Sequence, residues 1–123
     1  MKALNKLRIK NKNMFFGPGV RELLNEIERT HSIKSACENM NMSYVKALRI
    51  VRKAENEMGF PIAISQKGGH KGGGTHLSEK GKAFIAAYEE IEKEVDELAQ
   101  KLVDEKLLPF LESAGDGGDN DKK

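Results

Sequence analysis

Cysteine is nearly missing from these 123 residues: Cys37 stands alone, which excludes an internal disulfide and any zinc site built on paired cysteines. Aspartate is absent from residues 1–82, which carry sixteen Lys and Arg against seven Glu, a surplus of nine positive charges. No apolar run approaches the roughly 18 residues of a membrane span. The basic start Met1-Lys2-Ala3-Leu4 leads into no apolar stretch of the secretory kind, so a cytoplasmic chain with no membrane partner is expected. No nucleophile stands beside a base. The carboxylates Glu89, Glu90, Glu92, Glu94, Asp96 and Glu97 fall on the outer faces of a helix rather than around an enclosed site, so neither an enzyme nor a cofactor is expected.

What is present is one modest core and a divided charge. A hydrophobic content of 38% supports a single domain of ordinary size. After residue 82 the balance reverses, with five Lys against twelve Asp and Glu, a deficit of seven. A basic body followed by an acidic segment suits a first part that meets a polyanion and a second that stays away from it. The stretch Ser113 to Lys123, rich in Gly, Asp, Asn and Lys, has nothing with which to bury apolar surface and predicts a disordered tail.

Alternation through Leu7-Arg8-Ile9-Lys10 predicts a short strand. After Phe15-Phe16, Gly17-Pro18 suits a helix start, and Val20, Leu23, Leu24 and Ile27 line one face of a helix ending near His31. Ser32, or alternatively Ser35, can cap a two-turn helix with Ile33, Ala36, Cys37 and Met40 inward; Cys37 is then a small core residue rather than a sensor. Asn41 follows where a tight turn needs a residue tolerant of left-handed φ, and Met42 would pack that turn. Ser43 caps a third helix in which Tyr44, Ala47, Leu48, Val51, Ala54 and Met58 face inward, with Gly59 at its end; the phase of Tyr44 also fits the core edge. Pro61 to Gln66 reads as a strand, Lys67 to Gly74 as a basic glycine-rich tip, and Thr75-His76-Leu77 as the returning strand. Ser78 opens the last helix, although Gly81 stands where a capping box would place Glu or Gln. Phe84, Tyr88, Ile91, Val95, Leu98 and Leu102 recur in steps of four and three, a coiled-coil-like seam. A helix from Glu79 to Leu108, stopped by Pro109, would span roughly 45 Å and want a partner for its outer half.

Short helix, tight polar turn, longer helix and basic hairpin together make a winged helix-turn-helix: mainly α, with a small β-hairpin wing and a long C-terminal dimerisation helix. The expected division is a DNA-binding domain over 1–82, a dimerisation helix over 83–112 and the acidic tail over 113–123. A major groove about 12 Å wide admits one helix, and the third helix would present Val45, Lys46, Arg49, Ile50, Arg52 and Lys53 outward, with Ser43 and Tyr44 at its N-terminal end. Arg49 suits guanine and Val45 a thymine methyl. Ser32, Lys34 and Ser35 join Lys53 as further DNA-facing candidates. On the wing, Lys67, Gly68, Gly69, His70, Lys71 and Gly72 would meet phosphates or the minor groove, adding affinity more than sequence choice. The glycine loop lacks the Gly-Lys-Ser/Thr of a nucleotide-binding loop, and His31, His70 and His76 show no helical i, i+4 ligand spacing, so no metal is expected.

The stretches Phe16 to Ile27, Ser32 to Ala36 through Asn41-Met42-Ser43-Tyr44, and Lys67 to Gly81 with its trailing Leu77-Ser78-Glu79-Lys80-Gly81 resemble the N-terminal, LysR-like winged-helix domain of the molybdate-responsive ModE regulators. The resemblance covers about residues 15 to 90. It implies a homodimer in which the first and last helices of two chains pack together, and DNA contacts on Ser43, Tyr44, Lys46, Arg49 and the wing. Full-length members of that family continue into β-rich molybdate-binding domains, whereas here an acidic tail follows, so the expectation is a DNA-binding form without oxyanion sensing. The partners expected are double-stranded DNA and a second copy, with the effector unknown. Two other readings stay open: a protein-interaction module using the long helix without DNA, and a metal- or ligand-sensing regulator.

Overall fold

The computed structural model describes residues 1–67 and 74–111; the predicted wing tip at Gly68, Gly69, His70, Lys71 and Gly72, and the predicted tail 113–123, lie outside the described residues. The elements are β1 (Ile9–Lys10), β2 (Met14–Phe16), α1 (Pro18–Thr30), α2 (Ile33–Asn39), α3 (Tyr44–Met58), β3 (Ala63–Gln66), β4 (Gly74–Leu77) and α4 (Glu79–Lys106). Three short helices, two antiparallel strand pairs and one long C-terminal helix give a mainly helical, winged-helix-like fold. The chain divides into two compact units, Lys6–Ala87 and, separately, Met1–Asn5 with the chain from Tyr88 onward.

In the first unit the helices start and stop where local chemistry directs. Pro18 sits in the first turn of α1, where its missing N–H costs no hydrogen bond, and His31 ends the helix at φ 58 with its N–H donating to the Ile27 carbonyl. Ser32, not Ser35, caps α2: the Ser32 hydroxyl accepts the Ser35 N–H at 3.0 Å. Asn41 adopts φ 56, and Met42 N–H turns back to the Cys37 carbonyl at 2.9 Å, closing the turn before α3. Ser43 caps α3 by accepting the Lys46 N–H at 3.1 Å, and Gly59 ends it at φ 82. Phe16, Leu23, Leu24, Ile27, Val51 and Ile62 are the largest side chains sealed from solvent.

Two assignments on α3 are corrected. Tyr44, expected both on the inward face and at the DNA-facing N-terminal end, is 50% exposed, which leaves only the outward placement. Ile50, expected outward, is half-buried, because the N-terminal strand pair covers that flank of the helix. The pair itself was only half foreseen. β1 matches part of the predicted strand, but β2 has no alternation and is held instead by pairing, Ile9 opposite Phe16 and Lys10 opposite Met14. Glu57 of α3 secures the intervening turn, accepting Lys12 N–H at 3.2 Å, Asn13 N–H at 3.4 Å and the Asn13 amide at 2.8 Å.

The wing strands run in simple register from Ala63 opposite Leu77 to Gln66 opposite Gly74. Pro61 and Ile62, predicted as strand, precede it; Ile62 is instead wholly buried. The base of the wing is tied to α1, with Thr75 N–H on the His31 carbonyl at 2.9 Å and Leu77 N–H on Glu28 at 2.9 Å. Ser78 caps α4 by accepting Gly81 N–H at 3.0 Å while donating to the Pro61 carbonyl at 2.6 Å. Gly81 is closely packed there: a Cβ would lie 3.0 Å from Ile62 Cγ2 and 3.1 Å from Ser78 Oγ.

In the second unit Gln100 holds the start of the chain along α4, accepting Ala3 N–H at 2.9 Å and donating to the Met1 carbonyl at 3.0 Å. α4 ends at Lys106, two residues short of the expected Leu108. Pro109, expected to stop the helix, lies within a further helical turn at 108–111, in which Phe110 N–H reaches the Leu107 carbonyl.

Candidate nucleic-acid interface

The outer face of α3 carries four exposed cations, Lys46, Arg49, Arg52 and Lys53. Ala47, Val51 and Ala54 fix one face of the helix on the core, so Lys46, Arg49, Arg52 and Lys53 project to solvent on the others. Val45 at 68% exposure and Tyr44 at 50% stand at the N-terminal end beside Ser43. The Ser43 oxygen is engaged by Lys46 N–H, leaving its O–H to donate. Among the described residues, Arg52 alone of these cations has an ion pair, with Glu55 at 2.8 Å.

Four glutamates of this unit are held by the scaffold. Arg29 and then Asn39 hold Glu26 far below the usual carboxylate range, at about 2. The Leu77 N–H lowers Glu28, which also meets Lys82 at 3.4 Å. Burial pushes Glu55 up, but the N–H groups of Ile62 at 2.8 Å and Ala63 at 3.1 Å, with Arg52, bring it below its ordinary value. The Asn13 side chain does the same for Glu57. Each of these four glutamates satisfies backbone or side-chain donors at a junction between elements.

On α2, Ser32 and Ser35 are half-buried and joined by the cap hydrogen bond, whereas Lys34 is exposed. Lys67 is exposed at the end of β3. Cys37 is buried, its thiol 3.2 Å from the Lys34 carbonyl.

Two juxtapositions were not expected. His31 and His76 meet edge to face with ring centroids 5.1 Å apart, and His76 Nε2 also contacts Gln66 at 2.8 Å; their 45-residue separation in sequence hides the pairing. No group of three or more His, Cys, Asp and Glu gathers around a common point among the described residues. The N-terminal strand pair also brings Lys6 and Arg8 to the same cavity as Lys46 and Lys53.

The seam on α4 divides. Phe84 is half-buried against Phe16, with ring centroids 4.9 Å apart at 71°, and Tyr88 is only 2% exposed. Ile91, Val95, Leu98 and Leu102 are 37 to 55% exposed, followed by Leu107, Phe110 and Leu111 at 48 to 72%. No helix among the described residues is long and apolar enough to cross a membrane.

No family model matches the chain. Over 84 residues, 65% of its length, it is 33% identical to the molybdenum transport protein ModE of Azotobacter vinelandii. Over 76 residues, 62% of its length, it is 38% identical to the molybdenum-pterin-binding protein MopB of Rhodobacter capsulatus. The chain spans 31% and 28% of the length of these curated relatives. By sequence, therefore, the chain is related to the ModE and Mop proteins over most of its own length and under a third of theirs.

Proposed function

We propose that the chain is a sequence-specific DNA-binding transcriptional regulator that acts as a homodimer. The carrying observation is the exposed, acid-poor face of α3, set on a tight turn at Asn41 and followed by a two-stranded wing. In this reading Ser43, Tyr44, Val45, Lys46 and Arg49 enter the major groove, Arg49 gripping guanine O6 and N7, while Lys53 and Lys34 meet phosphates. The wing, with Lys67 at its described edge, adds affinity for any sequence. Two such readers need a clamp to hold half-site centres about 34 Å apart or a multiple of it, and the exposed stripe Ile91, Val95, Leu98 and Leu102 supplies it.

Fluorescence anisotropy on DNA enriched by in vitro selection tests the reading. Binding is expected at about 50 mM salt and falls steeply with added salt. Arg49→Ala costs about 1–3 kcal/mol and relaxes one base position, whereas Lys67→Ala weakens selected and random duplexes alike. Absence of binding at low salt overturns the reading and leaves a protein-interaction module. The names of the two relatives make molybdate the first effector to titrate: a shifted midpoint assigns sensing to this chain, and an unchanged one leaves it the DNA step alone.

A further inference from the structure

Beside α3, between β2 and the first turn of α1, lies a cavity of about 450 Å³ lined by apolar and cationic groups together. Met14, Phe15, Met42 and Ile50 supply apolar surface, and Met14 remains 46% exposed. Lys6, Arg8, Lys46 and Lys53 supply positive charge, Lys46 and Lys53 flanking Ile50 on one face of α3, and no acidic residue among the described residues lines the space. All four cations are exposed, and none is in an ion pair among the described residues. Glu57 is the carboxylate that feels Lys53, and its oxygens are occupied by Lys12 and Asn13. The Arg8 stem lies where a Cβ on Gly17 would be 3.4 Å from its Cγ, which sets the guanidinium beside the helix start.

DNA phosphates would engage the cations but leave the apolar surface uncovered, and a neutral hydrophobe would do the reverse. A ligand satisfying both kinds of group carries a flat apolar body and an anionic group. The volume falls within the range of pockets for small organic ligands, roughly 300–1,000 Å³. Thioether groups and a phenyl ring suit an aromatic body, and a guanidinium fork suits a carboxylate. We propose that this cavity binds an aromatic monocarboxylate, its ring against Met14, Phe15 and Met42 and its carboxylate on Arg8, Lys46 and Lys53. Lys46 and Lys53 also belong to the proposed DNA face, so the ligand competes with DNA; that consequence rests on the DNA-binding reading, whereas the site does not.

The test uses the full chain and 2-naphthoate, following the methyl signals of Met14 and Met42 by NMR, with 2-naphthylmethanol as the uncharged analogue and inorganic phosphate as the ring-free anion. Saturable shifts of both methyls are expected with naphthoate. Binding of the alcohol, and of naphthoate to Arg8→Ala, is expected to be weaker by about tenfold or more, as loss of a charge-assisted contact implies. Gly19 lines the cavity in the first turn of α1, and a Cβ there meets nothing within 4 Å, so the backbone accepts a side chain at this position; Gly19→Phe, with its fold checked by thermal unfolding, should abolish the shifts. No shift with naphthoate, equal binding of acid and alcohol, or phosphate shifting the same methyls equally well would overturn the site. In anisotropy, naphthoate should raise the DNA midpoint for the wild type and not for Gly19→Phe; shifts without that effect overturn the competition. A wild type that binds naphthoate but no DNA sinks the functional reading and leaves the site standing.

Discussion

At the scale of single residues, Gly81 and Glu55 carry consequences out of proportion to their size. Glycine inside an exposed helix is normally improved by alanine, by about 1 kcal/mol. At Gly81 the sign reverses, because the added methyl meets Ile62 and the capping hydroxyl of Ser78. Gly81→Ala is therefore expected to destabilise by about 1–3 kcal/mol in urea unfolding; a stabilised variant would show that the junction relaxes freely. Glu55 satisfies two backbone donors at the entrance to the wing, Ile62 N–H and Ala63 N–H. Glu55→Ala strands both and should cost about 1–3 kcal/mol, while the exposed Glu79→Ala, measured alongside, changes little.

At the scale of elements, the helix-turn-helix is built from local devices and was readable for that reason. Ser32, Asn41, Ser43 and Gly59 each act on backbone within a few residues, so their types disclosed α2, its turn and α3 directly. Ser43→Ala removes the acceptor for Lys46 N–H and should cost about 1 kcal/mol of stability, and in the proposed DNA-binding reading a larger loss of DNA affinity than of fold, because the same residue begins the end proposed to enter the groove. Anisotropy beside thermal unfolding separates the two effects. β2 was not readable. Met14-Phe15-Phe16 becomes a strand only because β1 lies beside it and Glu57, more than forty residues away, holds the turn.

For the whole molecule, charge and association set the expected behaviour. Glu26, Glu28, Glu55 and Glu57 all have carboxyls lowered below the ordinary value of 4.5, so each stabilises the fold in its ionised form. That contribution is fully present above 4.5 and is lost as pH falls through the lowered values, down to about 2 for Glu26. Chemical denaturation should show stability nearly flat from pH 7 to about 5 and falling steadily below it. A rise on acidification from 5 to 3 would contradict the assigned partners. Association should depend on the exposed stripe of α4: Leu98→Glu is expected to convert a dimer to a monomer in sedimentation, leaving the unfolding of the winged unit unchanged. A wild-type monomer would remove the homodimer.

Residue type and spacing alone determined the order of the helices and wing strands, the caps, the basic face of α3 and the acidic continuation, because each depends on backbone geometry or net charge within a few turns of chain. Only the tertiary structure decided what lay beyond that reach. It turned Phe84 onto Phe16 and buried Tyr88, shortening the seam to begin at Ile91. It exposed Tyr44, half-buried Ile50 and paired His31 with His76. It brought Lys6 and Arg8 to Lys46 and Lys53 around one cavity. A 3.6-residue period identifies an apolar stripe but not which part of it the protein's own core will cover, since that choice belongs to residues distant in sequence and adjacent only after folding.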